Sequence, residues 1–146
     1  MLFIIKKQLT VFLLIHILMV SCFFQVKACQ LPEKMNGVTI ILSVGEEYNN
    51  MTSFENDVIE MTFAEKSYRG IGYKNNRDFI GEYSYRKLAK NVSQIRTREL
   101  FGADILQYSI NLVCQSDYEG YYLYAPSSGK TGPQIGVMVE RYIVVQ

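Results

Sequence analysis

The chain has 146 residues, 15 lysines and arginines against 14 aspartates and glutamates, one histidine and no tryptophan. A length of this order allows one ordinary domain. The formal charge is +1, and it falls to about −2 (12 basic against 14 acidic residues) for residues 29–146, which is not the basic excess of a nucleic-acid binder, so no nucleic-acid partner is expected.

The N-terminus follows the pattern of a secretory signal peptide. Lys6 and Lys7 form a short positive region, and Leu9 to Phe24 is almost purely apolar, with no acidic residue before Glu33. A cut after Ala28 places Val26 and Ala28 at the −3 and −1 positions, as small-residue cleavage requires. Residues 1–28 are read as the signal peptide and 29–146 as a single secreted domain. An uncleaved anchor is the alternative, but roughly 16 apolar residues are short for a span of about 20. Met19-Val20-Ser21-Cys22 is a degenerate lipobox, against which the bulky Phe23-Phe24 pair argues. After cleavage no stable membrane span is expected. Cleavage removes His16 and three lysines, leaving 12 basic against 14 acidic residues.

Two cysteines then remain, Cys29 and Cys114. An even count in an exported chain predicts a disulfide between them. The same compartment gives meaning to two sequons, Asn50-Met51-Thr52 and Asn91-Val92-Ser93. Asn50 lies in a polar stretch and Asn91 at a predicted hairpin tip, so both are candidate glycosylation sites.

The mature chain reads as β throughout. Val38 to Val44 is a β-branched run after Asn36-Gly37. Val58 to Phe63 alternates, with Ile59, Met61 and Phe63 on one side. Tyr68 to Tyr73 carries Gly70 and Gly72, where a strand can bend or another group can approach closely. Asn75 to Asp78 is predicted as a turn. Gly81 to Leu88 places Tyr83 and Tyr85 on one face, and Asn91 turns the chain into Ser93 to Leu100. Phe101 to Asp104 reverses it again. Ile105 to Gln115 is the cleanest strand, with Leu106, Tyr108, Ile110, Leu112 and Cys114 on its dry face. Glu119 to Ala125 follows, then a predicted turn at Pro126 to Gly129. Gln134 to Val145 closes the chain, with Ile135, Val137, Val139, Ile143 and Val145 forming one apolar row that Arg141 interrupts. About eight strands with short connections predict an all-β, antiparallel up-and-down meander closing into a small barrel.

The runs Gly81-Glu82-Tyr83-Ser84-Tyr85, Tyr108-Ser109-Ile110-Asn111-Leu112, Glu119-Gly120-Tyr121-Tyr122 and Gly132 to Val139 resemble, in strand rhythm, the small calycin-type barrels. These include lipocalin-like proteins and small MoaF-like barrel domains. The resemblance covers residues 36 to 146 and implies a barrel with an interior cavity. The lipocalin Gly-x-Trp signature is absent, and no functional residue is carried over.

The missing residue types narrow the chemistry. Without histidine in the mature part, neither a Ser-His-Asp nor a Cys-His arrangement can form. The commonest zinc and copper ligand sets lose their nitrogen donors, so no metal and no cofactor is expected. Asp117 and Glu119 could share a face beside a turn, though solvated turn acids are the commoner reading. Arg86, Lys87, Lys90, Arg96 and Arg98 cluster on one predicted hairpin, opposed only by Glu99, and read as edge protection. All eleven tyrosines lie in the mature part. Tyr83, Tyr85, Tyr108 and Tyr122 are the candidate lining of a ligand cavity, because a phenol offers an apolar ring and a polar tip. The expected function is a secreted binding module for an apolar small molecule or a protein partner. Its alternatives are a small enzyme using carboxylates or tyrosines, and a ligand-free structural or defensive protein. Oligomeric state is open.

Overall fold

The computed structural model describes residues 29–45, 56–101, 104–128 and 138–145. Residues 1–28, read from the sequence as a signal peptide, and the Asn50 sequon lie outside these residues. Eight strands follow one another: β1 Thr39–Ser43, β2 Val58–Phe63, β3 Ser67–Gly72, β4 Arg77–Ala89, β5 Val92–Phe101, β6 Asp104–Cys114, β7 Glu119–Ser128 and β8 Met138–Val145. Each pairs antiparallel with its neighbour in sequence, and β8 returns to β1, so the sheet closes into a barrel. Among the described residues there is no helix.

Period-two patterning explains most of the inward set. Ile40 and Leu42 of β1, Ile59, Met61 and Phe63 of β2, and Tyr108, Ile110 and Leu112 of β6 are buried together. Their alternate neighbours face out, as a half-wet antiparallel strand requires.

Three local expectations are corrected. Arg77 and Asp78 begin β4, and the turn before it is Tyr73 to Asn76, with Asn76 in the left-handed region at φ 46°. Pro126 does not end β7. The strand runs on to Ser128, and the ladder shifts register between Gln107 and Tyr108, beside the Tyr108–Pro126 pair. Proline has no N–H to give, and an irregularity there spares the missing donor.

The face of β8 is also the reverse of the apolar row. Register with β1 pairs Leu42 with Tyr142 and Ile40 with Val144, so Tyr142 and Val144 face inward. Val139, Ile143 and Val145 lie exposed on the outer wall. Gly120 lies where β7 runs close to both β6 and the Tyr142 ring: a Cβ there would lie 2.2 Å from the Val113 carbonyl oxygen and 2.8 Å from the Tyr142 ring.

Residues 29–38 cross the end of the barrel at which the even-numbered strands finish. Gly37, at φ 79°, turns the segment into β1 and donates its N–H to the Phe63 carbonyl. Leu31 and Met35 are buried in the core. Cys29 is disulfide-bonded to Cys114 at the end of β6. Tyr85 donates its hydroxyl to the Pro32 carbonyl at 2.6 Å, and Lys87 pairs with Glu33. The apolar anchors and the disulfide thus make residues 29–38 a plug.

Replacing both Cys29 and Cys114 by alanine is expected to lower stability by about 4 to 5 kcal/mol on the chain-entropy model for a loop of this length. Denaturant unfolding of the oxidised protein beside the double variant measures it. Equal midpoints would mean that the plug holds without the bridge.

Candidate functional site

Strand β5 alternates Ser93, Ile95, Thr97 and Glu99 inward with Gln94, Arg96 and Arg98 outward. Glu99 shares the parity of Ile95 and is therefore carried into the barrel, where it is only 7% exposed. Register then builds one row across four strands. Tyr68 of β3 pairs with Gly81 of β4, Gly81 with Glu99, and Glu99 with Leu106 of β6.

Gly81 is the permissive member of that row. A Cβ at this position would meet the Tyr68 hydroxyl at 2.7 Å and its ring at 2.8 Å. With hydrogen there instead, Tyr68 reaches across β4 and donates to Glu99 Oε2 at 2.6 Å. Tyr108 donates to the same oxygen at 3.0 Å, and the two hydroxyls lie 2.9 Å apart. Thr97 holds the β6 backbone beside them, its hydroxyl donating to the Tyr108 carbonyl at 3.1 Å. Tyr108 is further packed against Tyr124, with ring centres 5.0 Å apart.

The electrostatics follow from burial. Desolvation raises the Glu99 pKa above the ordinary glutamate range, while hydrogen bonds from Tyr68 and Tyr108 and the charge of Arg77 pull it back in part. The same burial, together with the Glu99 charge, raises the Tyr68 hydroxyl beyond any physiological titration. Tyr108, fully enclosed, is raised well above a normal phenol by burial first and then by Tyr68 and Glu99. The cluster is a buried carboxyl group held by two phenols that stay protonated. It can accept or give a proton at Glu99 and can present negative charge in a largely apolar setting.

Glu99 and Tyr68 line an open cleft of about 750 Å³. Its lining draws on both faces of the wall. Phe63, Tyr68, Phe79 and Glu99 come from the inner face, and Ile80, Leu100, Arg69 and Arg98 from the outer. Ile80 and Leu100 are 71% and 74% exposed, an apolar rim beside a polar floor. Around them Arg69 is bridged to Asp78 at 2.6 Å, and Arg98 stands 3.8 Å from Glu82.

The four tyrosines expected from the sequence all face inward, but they divide. Tyr108 belongs to the Glu99 cluster. Tyr83 donates to the Ala64 carbonyl at 2.7 Å, Tyr85 to the Pro32 carbonyl and Tyr122 to the Ser43 carbonyl at 2.7 Å. These three hydroxyls tie loop and strand-end carbonyls to the barrel. Asp117 and Glu119 are engaged separately, Asp117 accepting from the Gln30 N–H and Glu119 pairing with Arg141 at 3.3 Å. Lys87 of the basic hairpin faces inward to Glu33, while Arg86, Arg96 and Arg98 lie outside. Asn91 is exposed at the β4–β5 turn. Among the described residues no three metal-ligating side chains gather.

Sequence reasoning passed over Glu99 and Tyr68. The signal for Glu99 was its strand parity with Ile95, masked by the arginines on either side. No protein-family model, curated protein or solved structure matches this chain.

Two outcomes are expected of the site. Gly81→Ala should cost about 1 to 3 kcal/mol, as overpacking does when a ring must shift, and urea unfolding measures it. A neutral effect would mean that Tyr68 can move away from Glu99 freely. The second concerns pH. Because the folded pKa of Glu99 is raised, the folded protein keeps that proton to higher pH than the unfolded chain. The stability linked to it is complete below the unfolded pKa and is lost as pH rises through the folded pKa. Glu99→Gln cannot ionise, so its Tm should gain on wild type with rising pH, and the difference should close under acid. Thermal melts from about pH 4 to about pH 8 read this directly, and a gap that widens under acid would contradict it.

Proposed function

We propose that this protein is a secreted binding barrel that takes a small amphipathic molecule into the cleft between the β2–β3 turn and strands β3 to β5. The observation that carries this reading is the pairing of an apolar rim with the buried Glu99–Tyr68 floor in a cleft of ligand size, about 750 Å³. Small-molecule sites are mostly apolar concavities with a few placed polar groups, of roughly 300 to 1,000 Å³. The signal-peptide pattern and the Cys29–Cys114 bridge agree with an oxidising, extracellular setting.

One observation favours a second reading. A buried acid of raised pKa between two phenols is an arrangement suited to proton transfer, as in a small isomerase or hydrolase. The two readings part on whether a bound compound is recovered unchanged.

The uncharged fluorophore N-phenyl-1-naphthylamine should bind at one site and brighten. Leu100→Asp, which puts a charge on the apolar rim, should weaken it at least about tenfold with Tm unchanged, since Leu100 is exposed. Binding that ignores the Leu100 change would place the ligand elsewhere.

A further inference from the structure

We infer that the outer face of β4, β5 and β6 docks on an anionic lipid bilayer, with a ledge of Ile80, Leu100 and Ile105 entering the headgroup layer and Arg98, Arg96 and Arg86 lying over the lipid phosphates. The inference goes beyond the ligand reading and does not depend on it.

The outward residues of these strands stand in register. Glu82 pairs with Arg98, Ser84 with Arg96 and Arg86 with Gln94. On its other side β5 sets Arg98 against Gln107 and Arg96 against Ser109, both uncharged. One outward step below Arg98, Leu100 pairs with Ile105. Ile80 precedes Gly81, the partner of Glu99, and so stands on the same outer side as Leu100. All three apolar side chains are exposed.

The charge on this face is unbalanced. Glu82 stands 3.8 Å from Arg98. Arg96 donates to the neutral Gln94 at 2.9 Å, and among the described residues neither Arg96 nor Arg86 has a carboxylate in ion-pair range. Residues 29–146 as a whole are slightly acidic, so the excess is local. Edge protection does not account for it at Arg96 and Arg98, because β5 is paired there with β4 on one side and β6 on the other. Clustered like charges repel one another, and an anionic surface turns that cost into attraction.

The ledge selects lipid among polyanions, since a soluble polyanion would need the arginines alone. Successive outward residues on a strand lie about 7 Å apart. The headgroup layer on each side of a bilayer is about 5 to 8 Å deep. A ledge at the acyl boundary therefore sets Arg98 at the phosphates. Arg96 and Arg86 stand farther out, where long side chains can reach back toward the surface. The other exposed apolar wall, Val139, Ile143 and Val145 of β8, lacks this charge: its Arg141 is held by Glu119.

The test is flotation of the full mature protein with vesicles of phosphatidylcholine alone or of equimolar phosphatidylcholine and phosphatidylserine. Partition to the mixed vesicles is expected to be at least about tenfold stronger and to weaken as salt rises. The double variant Arg86→Gln, Arg96→Gln should lose at least about tenfold of it. Neither arginine lines the cleft, so this variant should bind N-phenyl-1-naphthylamine as wild type does. Ile80→Ser with Leu100→Ser, which leaves the charge alone, should also lose at least about tenfold, with Tm unchanged because both side chains are exposed. Equal partition to the two vesicles, or an arginine variant that partitions as wild type does, would overturn the docking face. Loss in the arginine variant without loss in the serine variant would mark a site for soluble polyanions and overturn the lipid assignment. The cleft reading stands or falls on the fluorophore alone.

Discussion

Strand β1 is only five residues long, yet its pairing with β8 governs the rest of the molecule. Thr39 to Leu42 lie against Val145 to Tyr142, and that ladder turns an open meander into a barrel. Closure removes both sheet edges. It also decides parity. Once Leu42 faces inward, Tyr142 must face inward beside it, and the apolar row of Val139, Ile143 and Val145 is left on the outer wall. A shift of one residue would exchange those sets. The absence of a side chain at Gly120 lets the chosen register hold, leaving room for the β6 backbone at Val113 and for the Tyr142 ring.

Glycine serves the interior in the same way at the candidate site. Gly81 lies in register between Tyr68 and Glu99, and its missing side chain is the path by which a phenol on β3 reaches a carboxylate on β5. Gly70 makes the corresponding space for Phe79, whose ring would lie 2.0 Å from a Cβ there. The close approach that the sequence allowed at Gly70 of β3 is thus made by the Phe79 ring, and Gly81 of β4 admits Tyr68 in the same way.

The tyrosines carry two kinds of work with one side chain. Tyr83, Tyr85 and Tyr122 use their hydroxyls on main-chain carbonyls at loops and strand ends, which would otherwise be poorly satisfied beside the core. Tyr68 and Tyr108 use theirs on a buried acid. The first group holds the plug, the β2–β3 turn and the end of β1. The second group makes a charged group tolerable inside, since hydrogen bonds offset part of its desolvation. Structural and site tyrosines look alike in composition and differ only in what stands within 3 Å of the oxygen.

The sequence by itself determined the all-β class, the number of strands, their sequential antiparallel order and the Cys29–Cys114 pairing. It could do so because alternation, turn residues and an even cysteine count are local or countable signals. It also placed Tyr108 inward, since β6 alternates without interruption. Only the tertiary structure decided which face of β8 is wet, because two plausible parities existed and closure against β1 selected one. Only the tertiary structure revealed the site, because Glu99 reads as one more charge on a basic hairpin until the row Tyr68–Gly81–Glu99 is assembled. These residues are 13 and 18 positions apart in the chain. Their meeting depends on register across three strands, which local pattern does not contain.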